Sequence, residues 1–352
     1  MKGLKNSITD VAGVTVGHRT IQRGTFQTGV TAIFPHQGNL FQEKLVAAVY
    51  VANGFGKSVG LVQGEELGTL ETPLVLTNTF GVGTASNALI RHALKENSAI
   101  GEATGTVNPL VFECNDSRIN DLRGMVVTEA DVEAALGCAA ADFAQGAVGA
   151  GTGMCCYDLK GGIGSASRVL QINGETYTLG CLVLTNYGRL EDLQIKGYPV
   201  GREIAAFYSS EAQVEQGSVI VILATDLPLS SRQLKRICKR ASVGITRTGA
   251  FIGNGSGEIT LAFSTAQKIQ HAAQEVTLTY RCLNENYIDE VFHSVAEVVD
   301  EAVLYSLIES QSQPLRAGGV ARNVLECLTA LQQDDFSERR QEILAYLLGL
   351  KA

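Results

Sequence analysis

The stretch RTGAFIGNGSGEITLAFST, residues 247–265, holds the side chains best suited to chemistry. At its centre a serine follows a glycine, in Asn254-Gly255-Ser256-Gly257-Glu258. On residue types alone it has two readings. Asn254-Gly255 is a hairpin turn signal ahead of a strand, with Ser256 merely opening that strand. The same residues also suit a self-cleaving bond. The hydroxyl of Ser256 can attack the carbonyl that precedes it, and an N→O acyl shift gives an ester that water hydrolyses. Gly255 sets no Cβ in the way and tolerates a strained backbone. The freed α-amine, with an ordinary pKa of about 8, would lie two carbons from its own hydroxyl and could act as its general base. Such a serine borrows nothing from histidine.

Other familiar sites fail on spacing. Gly56-Lys57-Ser58 looks like the end of a phosphate loop, but the glycine required five residues earlier is Val51. Gly149, Gly151 and Gly153 do not make a dinucleotide fingerprint. The five histidines, His18, His36, His92, His271 and His293, show no metal-ligand spacing, so no metal and no cofactor is expected. Ser256 is out of frame for a GxSxG elbow.

The elements that must hold these residues alternate in type. Apolar runs of strand length occur at residues 29–34, 45–51, 73–79, 110–114, 177–185, 219–225 and 259–264, and residues 276–281 alternate as a strand does. Helical spacing occurs at residues 85–95, capped by Thr84 or Ser86, and at 129–144, capped by Thr128. It recurs at 233–244, capped by Ser230 or Ser231, and at 291–309 and 337–348. The order is not a simple βαβ repeat, which favours an α+β or layered sandwich architecture.

Composition narrows the class. The chain has 352 residues, 45% of them hydrophobic, so a large core is available, and no linker divides it. A net charge of −8 with no basic cluster argues against nucleic acid or an anionic membrane as partner. No apolar run approaches the length of a membrane span, and the first residues lack the apolar stretch of a secretory signal. Eight scattered cysteines, none in a CxxC pair, read as reduced buried thiols of a cytoplasmic protein.

Several stretches together resemble the DmpA-like L-aminopeptidase/D-esterase and β-aminopeptidase family, peptidase family P1. They are NSITDVAGVTVGH (6–18), VANGFGKSVGL (51–61), EELGTLETPLVLTNT (65–79), ECNDSRINDLRG (113–124), GAVGAGTGMCCYDLKGGIGSASR (146–168), LTNYG (184–188), ATDLPL (224–229) and the NGSGE junction. Their order and spacing carry the resemblance over almost the whole chain. It implies a four-layer αββα sandwich, similar in layers to the N-terminal-nucleophile hydrolases but with different connectivity. It implies one domain over residues 1–352, cut between Gly255 and Ser256 into an α chain (1–255) and a β chain (256–352). It implies a homotetramer or larger assembly. The activity implied is that of a self-processing serine aminopeptidase, removing N-terminal residues from short peptides, amides or esters. An acyl transferase on the same nucleophile and a non-catalytic scaffold are the alternatives.

The resemblance also assigns roles. Ser256 matches the nucleophile. Tyr157 would stabilise the oxyanion or orient the serine, and Asn186 would donate to the oxyanion. Glu301 would hold the Ser256 ammonium or hydroxyl. Asn53, Asn115 and Asp116 match polar positions that line the pocket or fix loops. The chain departs from the pattern on the Glu301 helix, where Val299 replaces a hydroxyl residue and Tyr305 an asparagine. Ser294 cannot stand in for that hydroxyl without a shift of register.

Overall fold

The computed structural model describes residues 1–209, 217–334 and 337–351. Along the chain, β1 (Thr15–Arg23), β2 (Phe26–Phe34) and β3 (Glu43–Gly54) precede a short α1 (Leu61–Glu66). Next come β4 (Thr69–Leu70), β5 (Leu74–Asn78), α2 (Val82–Glu96), β6 (Leu110–Cys114) and α3 (Glu129–Gly137). A small hairpin, β7 (Cys155–Cys156) and β8 (Leu159–Lys160), leads into β9 (Ile163–Ile172) and β10 (Glu175–Asn186). Then follow α4 (Val200–Phe207), β11 (Ser218–Thr225), α5 (Ser231–Arg247), β12 (Gly257–Gln270) and α6 (Ile288–Ile308). After α6 come a short hairpin, β13 (Gln313–Pro314) with β14 (Val320–Ala321), and helices α7 (Val324–Asp334) and α8 (Glu338–Lys351).

Two mixed sheets stack face to face. One has the order β1-β2-β5-β6, the other β4-β3-β12-β11-β10-β9. Their inner faces share a dry core that includes Ile33, Leu76, Phe112, Leu182, Ile222, Leu261 and Phe263. Every side chain of β11 is buried, as expected of a central strand covered on both faces. Outside the first sheet, α2 and α3 bury Ala85, Leu89, Val132 and Leu136 against Val30 and Val75. Outside the second, α5 and α6 set Leu234, Ile237, Val295 and Val299 on Val183, Val221 and Ala262. The layers are therefore α, β, β, α, and the fold is α+β as the motifs implied.

Local sequence explains most boundaries. Thr128 and Ser230 both cap their helices through complete capping boxes, with Asp131 and Gln233 returning the bond. Four expectations need correction. Thr84 and Ser86 lie inside α2, and Asn78 instead caps the turn that feeds it. α3 stops at Gly137 rather than residue 144, because Ala140 turns back to bridge Val16 of β1. Residues 276–281 are not a strand: their alternation has no sheet edge to pair with, and they stay exposed. β1, β9 and α7 form where no element was expected.

Candidate active site

The second sheet brings four strand ends together. β11 and β12 run parallel, and β10 and β3 flank them antiparallel. The starts of β11 and β12 therefore lie beside the ends of β10 and β3, which gathers Asn186, Ser218, Gly257 and Gly54 on one edge. The first sheet contributes as well. Cys114 closes β6, and its thiol reaches the Ser218 carbonyl at 3.5 Å and that of Leu184 at 3.8 Å.

Ser256 sits at this edge and is fully buried. Its N–H donates to the Gly253 carbonyl at 3.0 Å, which closes a tight turn around Gly255. The next N–H, of Gly257, donates to Gly217 at 3.1 Å. A Cβ at position 257 would stand 2.7 Å from the Phe55 carbonyl oxygen, so only glycine lets the strands close here. Asn53 clamps the turn from β3. Its amide donates to Gly253 O at 3.0 Å, to Asn254 O at 3.2 Å, and to Ser256 O. The clamp needs a β-bulge: Glu258 faces Asn53 but Ile259 faces Val51, so Ala52 is the extra residue that re-aims the strand end.

The Ser256 hydroxyl donates to the carboxylate of Glu258. Glu258 is the second residue of β12, and the serine two residues earlier, at the end of the turn, meets it there. Glu258 is itself buried. It was absent from the expected site residues, although the alternation in Ser-Gly-Glu was the signal that could have found it.

Tyr157 and Asn186 lie in the neighbouring shell. Tyr157 and Asp158 are the two central residues of the β7–β8 hairpin, with φ of 53° and 59°. A two-residue hairpin loop demands that left-handed backbone, which glycine or asparagine usually supplies. Tyr157 pays with strain and gains packing: its ring meets Tyr187 at 5.2 Å between centroids and covers Gly188, where any Cβ would collide with it. Its hydroxyl bonds Thr248 Oγ at 2.7 Å, while Thr248 donates its own proton to Ile245 O. The tyrosine thus anchors the loop, residues 249–255, that delivers the junction. Asn186 accepts from the Cys155 N–H at 3.0 Å and donates to Asn115 O at 2.9 Å, tying the hairpin to the end of β6. Beneath the hairpin, the buried Lys160 ammonium holds the carbonyls of Gly151, Met154 and Gly161. Burial pulls its pKa down to about 8.

A cavity of about 410 Å³ opens beside this edge, bordered by Asn115, Asn186, Tyr187, Gly188, Gly217 and the Arg118–Asp158 ion pair. Asn115 and Asn186 line it. Asp116 does not. It is fully buried and fixes the loop by accepting from Asn120 at 3.0 Å. Burial pushes its carboxyl up to about 6, against hydrogen bonds from Thr28, Asn120 and Asn78. Glu113 is buried too and accepts from the Lys57 N–H and the Thr79 hydroxyl. The Cys114 thiol is pushed well above its usual range, first by burial and then by the charges of Glu113, Glu258 and Asp116.

Glu301 has a different setting from the one expected. Its carboxylate takes Lys2 Nζ at 2.6 Å, Asn6 Nδ2 at 2.7 Å and Arg168 Nη2 at 2.7 Å. These partners belong to the N-terminal segment and to β9, not to the junction. Tyr305 stands beside them, 3.1 Å from Asn6. Val299 is buried in the core beneath α5, against Gly244. Among the described residues no three His, Cys, Asp or Glu side chains gather as a metal site, and no helix is long and apolar enough to cross a membrane.

Comparison with known proteins identifies the family and the fold. The model of peptidase family S58 matches residues 6–320. The β-peptidyl aminopeptidase BapA of Sphingosinicella microcystinivorans is 33% identical over 333 residues, covering 88% of this chain and 83% of that one. Among solved structures, the PH0078 protein of Pyrococcus horikoshii OT3 superposes with a TM-score of 0.89 at 47% identity, covering 94% of both chains. The L-aminopeptidase D-Ala-esterase/amidase of Ochrobactrum anthropi superposes with a TM-score of 0.86 at 36% identity, covering 95% of both. That structure is described as a prototype for the serine aminopeptidases and a new variant of the Ntn-hydrolase fold.

Proposed function

The chain belongs to peptidase family S58, the self-processing serine aminopeptidases, and from that premise we propose that it splits its own Gly255–Ser256 bond and then uses Ser256 to remove N-terminal residues from short peptides, amides or esters. The observation that carries this reading is the buried Ser256 hydroxyl, held in a clamped turn directly after Gly255.

Scission would leave an α chain of residues 1–255 and a β chain beginning at Ser256. The new α-amine stands beside its own hydroxyl and takes the hydroxyl proton as the serine attacks a substrate carbonyl. The acyl group passes to Ser256 Oγ, and the leaving amine departs with a proton. Water then attacks the ester and releases the acid. Asn186 and Asn115, at the cavity wall, offer amide groups to a bound substrate. Tyr157 acts on the serine through the loop it anchors at Thr248.

A denaturing gel with N-terminal sequencing tests the first half. Two fragments are expected, the smaller starting at Ser256. A single intact band in an active preparation would sink the reading. A panel of aminoacyl p-nitroanilides, α and β, tests the second half and defines the preferred residue. Peptide formation measured alongside hydrolysis separates a hydrolase from an acyl transferase.

A further inference from the structure

Self-cleavage poses a problem that the mature mechanism does not solve. The α-amine proposed as base for turnover is, before scission, the amide nitrogen of Ser256. Its lone pair is delocalised into the Gly255 carbonyl and is not basic, and its N–H donates to Gly253. Some other group must take the hydroxyl proton in the first event.

The described side chains leave few candidates. Each histidine is engaged elsewhere: His18 with Thr31 and Ala144, His36 with Glu43 and Gly38, His271 with Thr104. His92 and His293 sit beside Glu133 and Glu297. Burial holds the Cys114 thiol neutral. The Tyr157 hydroxyl meets Thr248, and Glu301 is bound by Lys2, Asn6 and Arg168. Glu258 alone among these acids and bases has a hydrogen bond from Ser256 Oγ.

We propose that Glu258 is the general base and acid of self-cleavage, distinct from the amine that serves turnover; this rests on the self-processing reading above. As Oγ attacks the Gly255 carbonyl carbon, its proton passes to the Glu258 carboxylate. The tetrahedral centre carries both Oγ and the Ser256 nitrogen. Glu258 returns the proton to that nitrogen as the C–N bond breaks, which leaves an ester between Gly255 and Oγ and a free amine. Water then adds to the ester carbon and the C–Oγ bond breaks. One water proton restores the hydroxyl, the other ends on the amine, and Gly255 keeps a carboxylate. The Asn53 clamp, bonded to carbonyls on both sides of Gly255, holds the peptide still while this occurs.

The test follows scission in freshly synthesised full-length chain by gel and intact mass, for wild type, Glu258→Gln and Glu258→Asp. Hydroxylamine, which intercepts an ester, is added in a parallel series. Wild type is expected to split. Glu258→Gln should split at least about a hundredfold more slowly, with or without hydroxylamine, because no ester forms. Glu258→Asp, which keeps the charge but withdraws it by one methylene, should fall between them. Normal scission in Glu258→Gln, or a block that hydroxylamine releases, would overturn the assignment while leaving self-processing intact. A wild type that never splits would instead overturn self-processing itself. Thermal unfolding shows whether Glu258→Gln folds. If it does not, the aspartate variant decides: a folded Glu258→Asp that splits at the wild-type rate refutes the role.

Discussion

Two buried glutamates face opposite circumstances in this fold. Glu301, on α6, is met by one ammonium, one guanidinium and one amide. Glu258, at the start of β12, meets the hydroxyl of a serine. Burial alone would push the Glu301 carboxyl up, but hydrogen bonds from Lys2 and Arg168, the Arg168 charge and Asn6 outweigh it and hold the pKa below the usual glutamate range. A carboxylate so surrounded is committed to staying charged, and its work is to tie the N-terminal segment, β9 and α6 together. A carboxylate against a hydroxyl can receive a proton. The difference teaches that burial marks neither residue as functional; the partner does.

The largest effect that bears on this contrast is expected at the hydroxyl itself. Ser256→Ala should abolish scission and lower kcat/KM by about 10⁴-fold or more, with unfolding little changed. Retained turnover in that variant would remove the junction from the chemistry. Asn53→Ala comes next. It deletes donors to three carbonyls around the scissile turn and should slow scission by about tenfold to a hundredfold. An unaffected rate would show that the bulge and Gly257 hold the turn unaided.

These residues were unequally legible in the chain. The junction was legible only through the order and spacing of the motifs around it, since Asn-Gly-Ser by itself reads equally as a hairpin turn. The strand at residues 110–114 was placed to the residue, since the apolar run Leu110-Val111-Phe112 between Pro109 and the polar Asn115-Asp116 has the length of a buried strand. β9 was missed because its buried residues Gly164, Ser165, Ala166 and Ser167, on both faces, are small enough for α6 and the N-terminal segment to approach closely. A Cβ at Gly164 would lie 1.9 Å from the Ala302 carbonyl oxygen. Hydrophobic periodicity cannot register a strand whose packing depends on small size. Glu258 was in view yet unread, because a charged residue in a strand looks solvated until both neighbouring layers are known. Glu301 illustrates the converse. Its carboxylate is buried, but the cations that neutralise it come from residues 2 and 168, which no local pattern connects to it.

Arg168→Met probes the network side. It removes the guanidinium and leaves Glu301 with the half-exposed Lys2 as its only cation, at a cost of about 2–3 kcal/mol. Denaturant unfolding should show that loss, while scission of the folded fraction continues. A block of scission equal to that of Ser256→Ala would dissolve the distinction between the two regions.

A last effect separates the two buried carboxylates by sign. Asp116, near the junction, has its carboxyl raised to about 6 by burial, whereas Glu301 has its own lowered. For Asp116 the folded protein holds the proton more tightly than the unfolded chain. Its contribution is therefore favourable below about 3.8 and is lost as pH rises through about 6. For Glu301 the folded protein holds the proton less tightly. Its contribution is present above about 4.5 and is lost as pH falls through the lowered value. At pH 7, Asp116→Asn, which keeps an acceptor for Asn120, should unfold at higher denaturant than wild type, by up to about 3 kcal/mol. Glu301→Gln should unfold at lower denaturant. The Asp116→Asn gain should shrink as pH falls from about 6 to about 3.8, and the Glu301→Gln loss only below about 4.5. Equal signs at neutral pH would mean that partners, not burial, govern both carboxylates.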